Sequence, residues 1–366
     1  MRNLPDTNRI NFLILTWTKC NFEKMKIRLI YLPHLMKYFI RQTGLCLIIL
    51  ACILHSCKKR EVPVLTTSAV TGITGTTAVC GGIVTTEGSD EITARGVCWS
   101  TSNTPTITDY KTNDGSGVED FTSQLSDLDI TTTYYVRAYA TNKAGTGYGE
   151  VKSFTTLLAD YDGNIYTTVT IGMQVWMVEN LETTRYNDGN AIPLVQILTE
   201  WSSMTTPAYC WYQDNGSAYT AYGAVYNWYA VNSGKLCPTG WHVPSYSEWT
   251  VLTTYLTDKG YGFGGSGSDI AKSVAATTGW LSSSETGTVG NDQASNNKSG
   301  FTAVPGGMFI EGKYYVLGET GSWWSSTKVD DAAASWSKQL NYSNSGFEDL
   351  AAYYNYCGLS VRCLKD

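Results

Sequence analysis

Between Tyr135 and Ala140 the chain alternates strictly. Tyr135, Arg137 and Tyr139 fall on one face of an extended backbone, and Val136, Ala138 and Ala140 fall on the other. A period of two admits a strand and excludes an amphipathic helix. The same habit runs from Val62 to Thr156, with turn clusters about every ten residues, as in an all-β sandwich. "TTAVCGGIVTT" and "ITARGVCWSTS" read as two strands joined through "EGSDE", and "TYYVRAYATNKAGTGYGEVKSFTT" as a closing hairpin. The small apolar face of that hairpin packs inward. Cys80 and Cys98 then lie on neighbouring strands, where they either pair or sit buried as two separate thiols.

The N-terminus reads as an address. Lys37 and Arg41 precede the apolar run Gly44 to Leu54, followed by His55, Ser56 and Cys57. A run of about 11 residues is too short to span a bilayer but suits the core of a secretory signal. Leu54-His55-Ser56-Cys57 resembles a bacterial lipobox, which implies that Cys57 is lipidated and becomes the first residue of an outer-membrane lipoprotein, periplasmic or surface-exposed. The alternative is a membrane anchor with an incidental cysteine. Residues 1–56 are thus expected to be leader and signal peptide, with Met36 as the true start, and residues 57–61 a lipidated linker.

Removing residues 1–56 leaves 18 basic and 30 acidic residues, a net charge of −12. A chain this acidic repels phosphate backbones, so nucleic acid is excluded as a partner. Six cysteines remain besides Cys57: Cys80, Cys98, Cys210, Cys237, Cys357 and Cys363. An even number in an exported chain favours disulfides. His242 is the sole histidine left, so no multi-histidine zinc site can form.

A second unit begins at "LLADYDGNIY". Asp162-Gly163 is a hairpin-turn dipeptide, flanked by the strand-like Ile165-Tyr166 and Val169 to Ile171. Asp160, Asp162 and Asn164 alternate like calcium ligands. The EF-hand loop, however, needs glycine sixth and glutamate twelfth, where Ile165 and Ile171 stand. Ten of the twelve tryptophans lie between Trp176 and Trp336, and most must be core. In "LCPTGWHVPSYSEW", Ser245 and Glu248 form a capping box. Trp249, Leu252 and Leu256 then give a helix from Ser245 to Thr257 its buried stripe. A second short helix is expected across Gly223–Val231.

Two resemblances follow. "YYVRAYATNKAGTGYGE" makes residues 62–156 similar to a fibronectin type III-like module, which implies a seven-strand sandwich acting as a spacer. "TIGMQVWMVENLETTRYNDGNAIP", "AYGAVYNWYAV", "LCPTGWHVPSYSEWTVL", "NNKSGFTAVPGGMF", "GSWWSSTKVDDAAASW" and "GLSVRCLKD" make residues 159–366 resemble the Fibrobacter succinogenes major paralogous domain. That family occurs in bacterial envelope proteins. Its Cys-Pro-x-Gly-Trp and closing segments also resemble the C-type lectin-like fold. In that fold the segment around the first helix is bridged to the last strand, so the resemblance implies a Cys237–Cys363 disulfide and leaves Cys210 with Cys357. The expected fold is therefore multidomain: an all-β sandwich followed by an α+β C-type lectin-like domain.

Several motifs offer chemistry beside a plainer reading. "GYGFGG" (260–265) satisfies G-x-G-x-x-G but follows a helix instead of a strand, so it reads as a loop. Cys237 with His242 would make a thiol–imidazole pair only if the cysteine were reduced. Cys357 and Cys363 lie six apart, as in formylglycine-generating enzymes, but the surrounding sequence does not match. Asn291, Asp292, Asn296 and Asn297 offer hard oxygen ligands for calcium or form a solvated loop. Trp323 and Trp324 either present one indole outward beside Tyr314 or Tyr315 as a sugar platform, or are both core. Adjacent Asp330 and Asp331 diverge on a strand and are solvated in a loop.

The sequence thus predicts an envelope lipoprotein, membrane-bound through its lipid, that binds polysaccharide or another surface component without catalysis. No cofactor is required, with calcium the one candidate. The rivals are an enzyme acting on envelope glycans and a structural subunit of a surface assembly.

Overall fold

The computed structural model describes residues 59–196, 198–211, 220–310, 313–330 and 333–366. The expected signal segment, the lipobox with Cys57, and Asp331 lie outside them.

Five strands of the first domain are β1 (Val64–Thr67), β2 (Ala78–Thr86), β3 (Ala94–Ser100), β4 (Tyr110–Lys111) and β5 (Phe121–Leu125), followed by β6 (Thr133–Asn142), β7 (Gly145–Tyr148) and β8 (Lys152–Thr155). One antiparallel sheet has the order β1-β2-β5 and the other β4-β3-β6-β7, with β8 also on β6. Because Tyr148 faces Tyr139 and Phe154 faces Tyr134 on the same strand, β7 and β8 are halves of one interrupted edge strand. This is the expected seven-strand sandwich. Val136, Ala138 and Ala140 are fully buried between the sheets, as the alternation requires.

The sheet assignment separates Cys80 from Cys98. Their strands, β2 and β3, belong to opposite sheets. Cys80 faces the core, whereas Cys98 lies between the core residues Val97 and Trp99 and so points the other way, its sulfur 3.7 Å from the Arg137 carbonyl. They are two separately buried thiols, and burial pushes the Cys98 pKa up to about 11.

The chain enters the second domain without slack. Leu157 N–H donates to the Thr74 carbonyl (2.9 Å), the Thr156 hydroxyl donates to the Asp129 carbonyl (2.6 Å), and Ile130 packs on the second core. The second domain runs β9 (Leu158–Ala159), β10 (Ile165–Tyr166), β11 (Thr168–Ile171), β12 (Gln174–Met177), α1 (Leu198–Trp201), β13 (Tyr209–Cys210) and β14 (Val225–Tyr226). It continues through α2 (Trp228–Val231), β15 (Trp241–His242), α3 (Tyr246–Asp258), α4 (Ala271–Val274), β16 (Met308–Ile310) and β17 (Lys313–Tyr315). It ends with β18 (Thr320–Lys328), β19 (Ala334–Asn341), β20 (Glu348–Tyr354) and β21 (Leu364–Lys365). The last strand closes the domain by inserting between β12 and β15, in the sheet order β11-β12-β21-β15.

Ser245 caps α3 as the sequence predicts. Its hydroxyl accepts from Glu248 N–H and the Glu248 carboxylate accepts from Ser245 N–H, while Trp249, Leu252 and Leu256 are buried. The helix expected over Gly223–Val231 is shorter. Val225 and Tyr226 pair with β13, and only Trp228–Val231 is helical behind an Asn227 cap. Gly223, at φ 76°, sits where a β-carbon would meet Asn180 Cβ at 2.7 Å, so the chain turns there instead of coiling.

The sheet β18-β19-β20 lies between two cores. Trp323 enters one with Trp176, Trp249 and Phe301, and its neighbour Trp324 enters the other with Tyr226, Cys237 and Cys363.

Candidate functional site

Where the sandwich meets the second domain, a cleft of about 520 Å³ opens. Its sandwich wall is the loop from Leu128 to Thr132, and its opposite wall is Ala159 to Tyr161, Asn187 and the turn Pro238–Gly240. Asp160 shapes the first hairpin. Its Oδ1 accepts from the N–H groups of Asp162 and Asn164 (both 3.0 Å), and its Oδ2 accepts from the Tyr166 hydroxyl (2.6 Å). Burial, helped by Asp160, pushes the Tyr166 pKa far above its ordinary value, so that hydroxyl remains a donor.

The turn thus fixed presents Tyr161 outward, 58% exposed. Its ring lies against Gly189, where a β-carbon would come within 2.6 Å of the Tyr161 Cζ. One ring face is held and the other is open. On the sandwich wall Thr131 has φ 50°, a left-handed conformation that a β-branched residue adopts only under constraint. Among the described lining residues Asp129 and Asp160 are acidic and none is basic, so the cleft favours a neutral or cationic ligand.

The segment from Cys237 to Glu248 supports this wall. Cys237 is disulfide-bonded to Cys363 with Cα atoms 6.0 Å apart, as the resemblance implied, and the Cys237 carbonyl accepts from Asn187 Nδ2 (3.0 Å). His242 contacts Asp366 through Nδ1 (2.6 Å) and Glu248 through Nε2 (3.0 Å). Burial alone would lower its pKa, but the two carboxylates outweigh that and raise it. A disulfide sulfur is no nucleophile, so the thiol–imidazole reading gives way to a clasp that ties the C-terminus to the start of α3.

Residues 169–365 match the family described as the Fibrobacter succinogenes major domain. The chain belongs to that family. No curated protein matches the chain. Among solved structures, the fibronectin type III domain of human fibronectin type III domain containing protein 3 is similar over 26% of this chain and 85% of its own, at 21% identity and a TM-score of 0.20. One from the human KIAA0970 protein covers 25% of this chain and 72% of its own, at 17% identity and a TM-score of 0.19. A titin fragment covers 26% of this chain, at 19% identity and a TM-score of 0.21, and the chain spans 33% of that fragment's length. The sandwich's type is carried by its own strand order.

Within the Fibrobacter succinogenes major domain, of the two readings of Trp323 and Trp324 the core one holds. Trp323 and Trp324 are fully buried, and their indole N–H groups donate to Asn180 Oδ1 (2.8 Å) and the Tyr226 carbonyl (2.7 Å). The outward indole is absent because both faces of β18 are covered by core. Tyr314 packs edge-on against Phe309 and donates its hydroxyl to the Trp211 carbonyl, leaving Tyr315 as the more exposed of the two tyrosines.

The Cys210–Cys357 pairing is also corrected. Cys210 is buried with Trp201, Val225 and Phe309, while Cys357 is buried in the separate cluster around Tyr226, and no disulfide joins them. Burial pushes the Cys210 thiol pKa up to about 12.

The asparagine loop, read as a calcium candidate or a solvated loop, is braced from within. Lys272 Nζ donates to the carbonyls of Asn291, Asp292 (3.1 Å) and Thr288 (3.5 Å). Asn296 donates to the carbonyls of Ala276 and Val289, and Asn297 bonds Thr302 through both ends of its amide. Lys272 thus braces the main chain of this loop, while Asn296 Oδ1 is buried without a hydrogen-bond partner among the described residues. Asp330 is exposed, and "GYGFGG" is a loop after α3, as expected.

The cleft itself escaped the sequence reading. Tyr161, Asn187 and Thr131 are distant in sequence or conformationally cryptic. The one available signal was an aromatic residue at the apex of a D-x-D-G turn, a place where a ring has little to pack on.

Proposed function

We propose that this chain is a non-catalytic binding module of the bacterial cell envelope whose ligand is a neutral polysaccharide taken into the cleft between the sandwich and the Fibrobacter succinogenes major domain. The open face of Tyr161 carries this reading. A tyrosine ring held on one side and free on the other offers a flat apolar surface to a sugar ring, while the carboxylates and the backbone around it accept from hydroxyls. The acidic balance of the lining disfavours phosphorylated or uronic polymers.

The second domain is read as C-type lectin-like. Support comes from the Cys237–Cys363 bridge beside α3 and from the return of β21 to the sheet of β12 and β15. The protein is read as a lipoprotein of the outer membrane, anchored through Cys57, with the sandwich as a spacer. A clickable fatty acid should label the protein in cells, and Cys57→Ser should abolish the label.

The deciding experiment is a glycan array probed with the soluble chain and with Tyr161→Ala. Binding to one glycan class, lost in the variant at an unchanged melting temperature, is expected. No glycan binding, or equal binding by both proteins, overturns the reading. Turnover of a bound glycan would favour an envelope enzyme, and stoichiometric co-purification of an envelope protein would favour a structural subunit.

A further inference from the structure

A second cavity of about 310 Å³ lies on the sandwich beside the cleft. Its lining includes Trp99, Ser100, Tyr110, Asp127, Asp129 and Tyr134. Asp129 lines both cavities. Tyr110, on the edge strand β4, is 71% exposed and stacks on Trp99 with ring centroids 5.9 Å apart and planes 19° from parallel. Like Tyr161, it has one face held by the protein and one open.

Around Tyr110 the remaining lining is polar. Asp129 N–H donates to the Tyr134 hydroxyl (3.1 Å), which in turn donates to Asp129 Oδ2 (3.3 Å). Asp127 stands next to this pair with φ 56°, and Thr131 is left-handed four residues on. The loop between the cavities thus takes a left-handed turn at each end, costly at the β-branched Thr131, which fits a loop that lines a site on each side.

We infer that the two cavities are successive subsites for one linear polysaccharide chain, with Tyr161 and Tyr110 stacking sugars several residues apart. This rests on the ligand reading above and adds the polymeric character of the ligand and a second contact on the sandwich. The fibronectin-like domain then takes part in recognition instead of serving only as a spacer. Two weak stacking contacts on one chain gain affinity by effective concentration, so affinity should rise with chain length until both are engaged.

The test uses the soluble chain and cello-, manno- and xylo-oligosaccharides of two to six sugars, measured by calorimetry. Within the series that binds, the dissociation constant should tighten about tenfold between two and six sugars. Tyr110→Ala should abolish that gain while leaving the affinity for the disaccharide unchanged, whereas Tyr161→Ala should weaken binding at every length. Tyr110 is exposed, and an unchanged melting temperature confirms that the variant folds. Affinity independent of length, or a Tyr110→Ala profile identical to the wild type while Tyr161→Ala still loses binding, overturns this inference alone. Failure of all three series to bind overturns it together with the neutral-glycan reading.

Discussion

The guanidinium of Arg362 donates to Asn180 Oδ1 at 3.0 Å in the centre of the second domain, where Arg362 is fully buried and Asn180 nearly so. Among the described residues no salt bridge reaches Arg362. The Phe301 carbonyl accepts from Nη1 and the Thr302 carbonyl from Nη2 (3.3 Å), Nε is buried without a partner among those residues, and the rings of Phe301 and Trp323 lie 4.3 and 5.7 Å from its Cζ. Burial lowers its pKa, yet hydrogen bonds and π-faces solvate the charge in place of water. Asn180→Ala would leave the charge and the Trp323 indole N–H short of a partner, and should cost about 3 kcal/mol or more in urea unfolding. Arg362→Met removes the charge with its bonds and should cost less. The reverse order would show that Asn180 is not the main support.

The His242 clasp makes stability depend on pH. With carboxylates on both ring nitrogens, the folded-state pKa lies above the ordinary 6.5. The contribution is therefore fully present below the unfolded pKa and fades as pH rises through the folded one. Glu248 has the opposite sign, because bonds from Ser245 and His242 outweigh its burial and lower its pKa. Its contribution is present above the ordinary carboxylate range and fades on acidification. Melting temperature should fall between pH 6 and pH 9, by less than about 1 kcal/mol in stability because the groups are part-exposed. In His242→Gln that slope should vanish, and a slope that persists would point to another group.

Reduction or the double substitution Cys237→Ser/Cys363→Ser opens a loop with a sequence separation of 126 and should cost about 4–5 kcal/mol on the chain-entropy account. Mass mapping of the native protein after denaturing alkylation should find this bridge and modified thiols at Cys80, Cys98, Cys210 and Cys357. A Cys210–Cys357 peptide would contradict the two-cluster arrangement.

Lys272 should behave as a structural cation. Lys272→Met strands three loop carbonyls and is expected to destabilise the domain by about 2–3 kcal/mol. Millimolar calcium should leave the wild-type melting temperature unchanged, and a rise of several degrees would mean that the loop takes a metal after all.

Thr131 offers a gain. At φ 50° a β-branched residue is strained, and Thr131→Gly should stabilise the protein by up to about 1 kcal/mol, the relieved strain exceeding the added chain entropy. Destabilisation in the thermal melt would show that the threonine side chain makes up for its backbone.

Local chemistry was legible where it acts over a few residues. The alternation at Val136, Ala138 and Ala140, the Ser245–Glu248 box and the Asp162-Gly163 turn each satisfy a rule whose partners lie within one turn of chain. The segment 223–231 misled because a long-range partner, β13, captured Val225 and Tyr226 before a helix could form.

The sequence by itself determined an acidic, two-domain chain, its sandwich face and the start of its main helix. Tertiary structure alone decided which cysteines meet, that Trp323 and Trp324 are both interior, that an ammonium braces the asparagine loop, and that Tyr161 lines a cleft against the sandwich. The physical reason is that each of these depends on what covers the far side of a strand or loop, and that cover comes from residues tens to hundreds of positions away. Periodicity can show that a strand has two faces, but only packing shows which of them meets solvent.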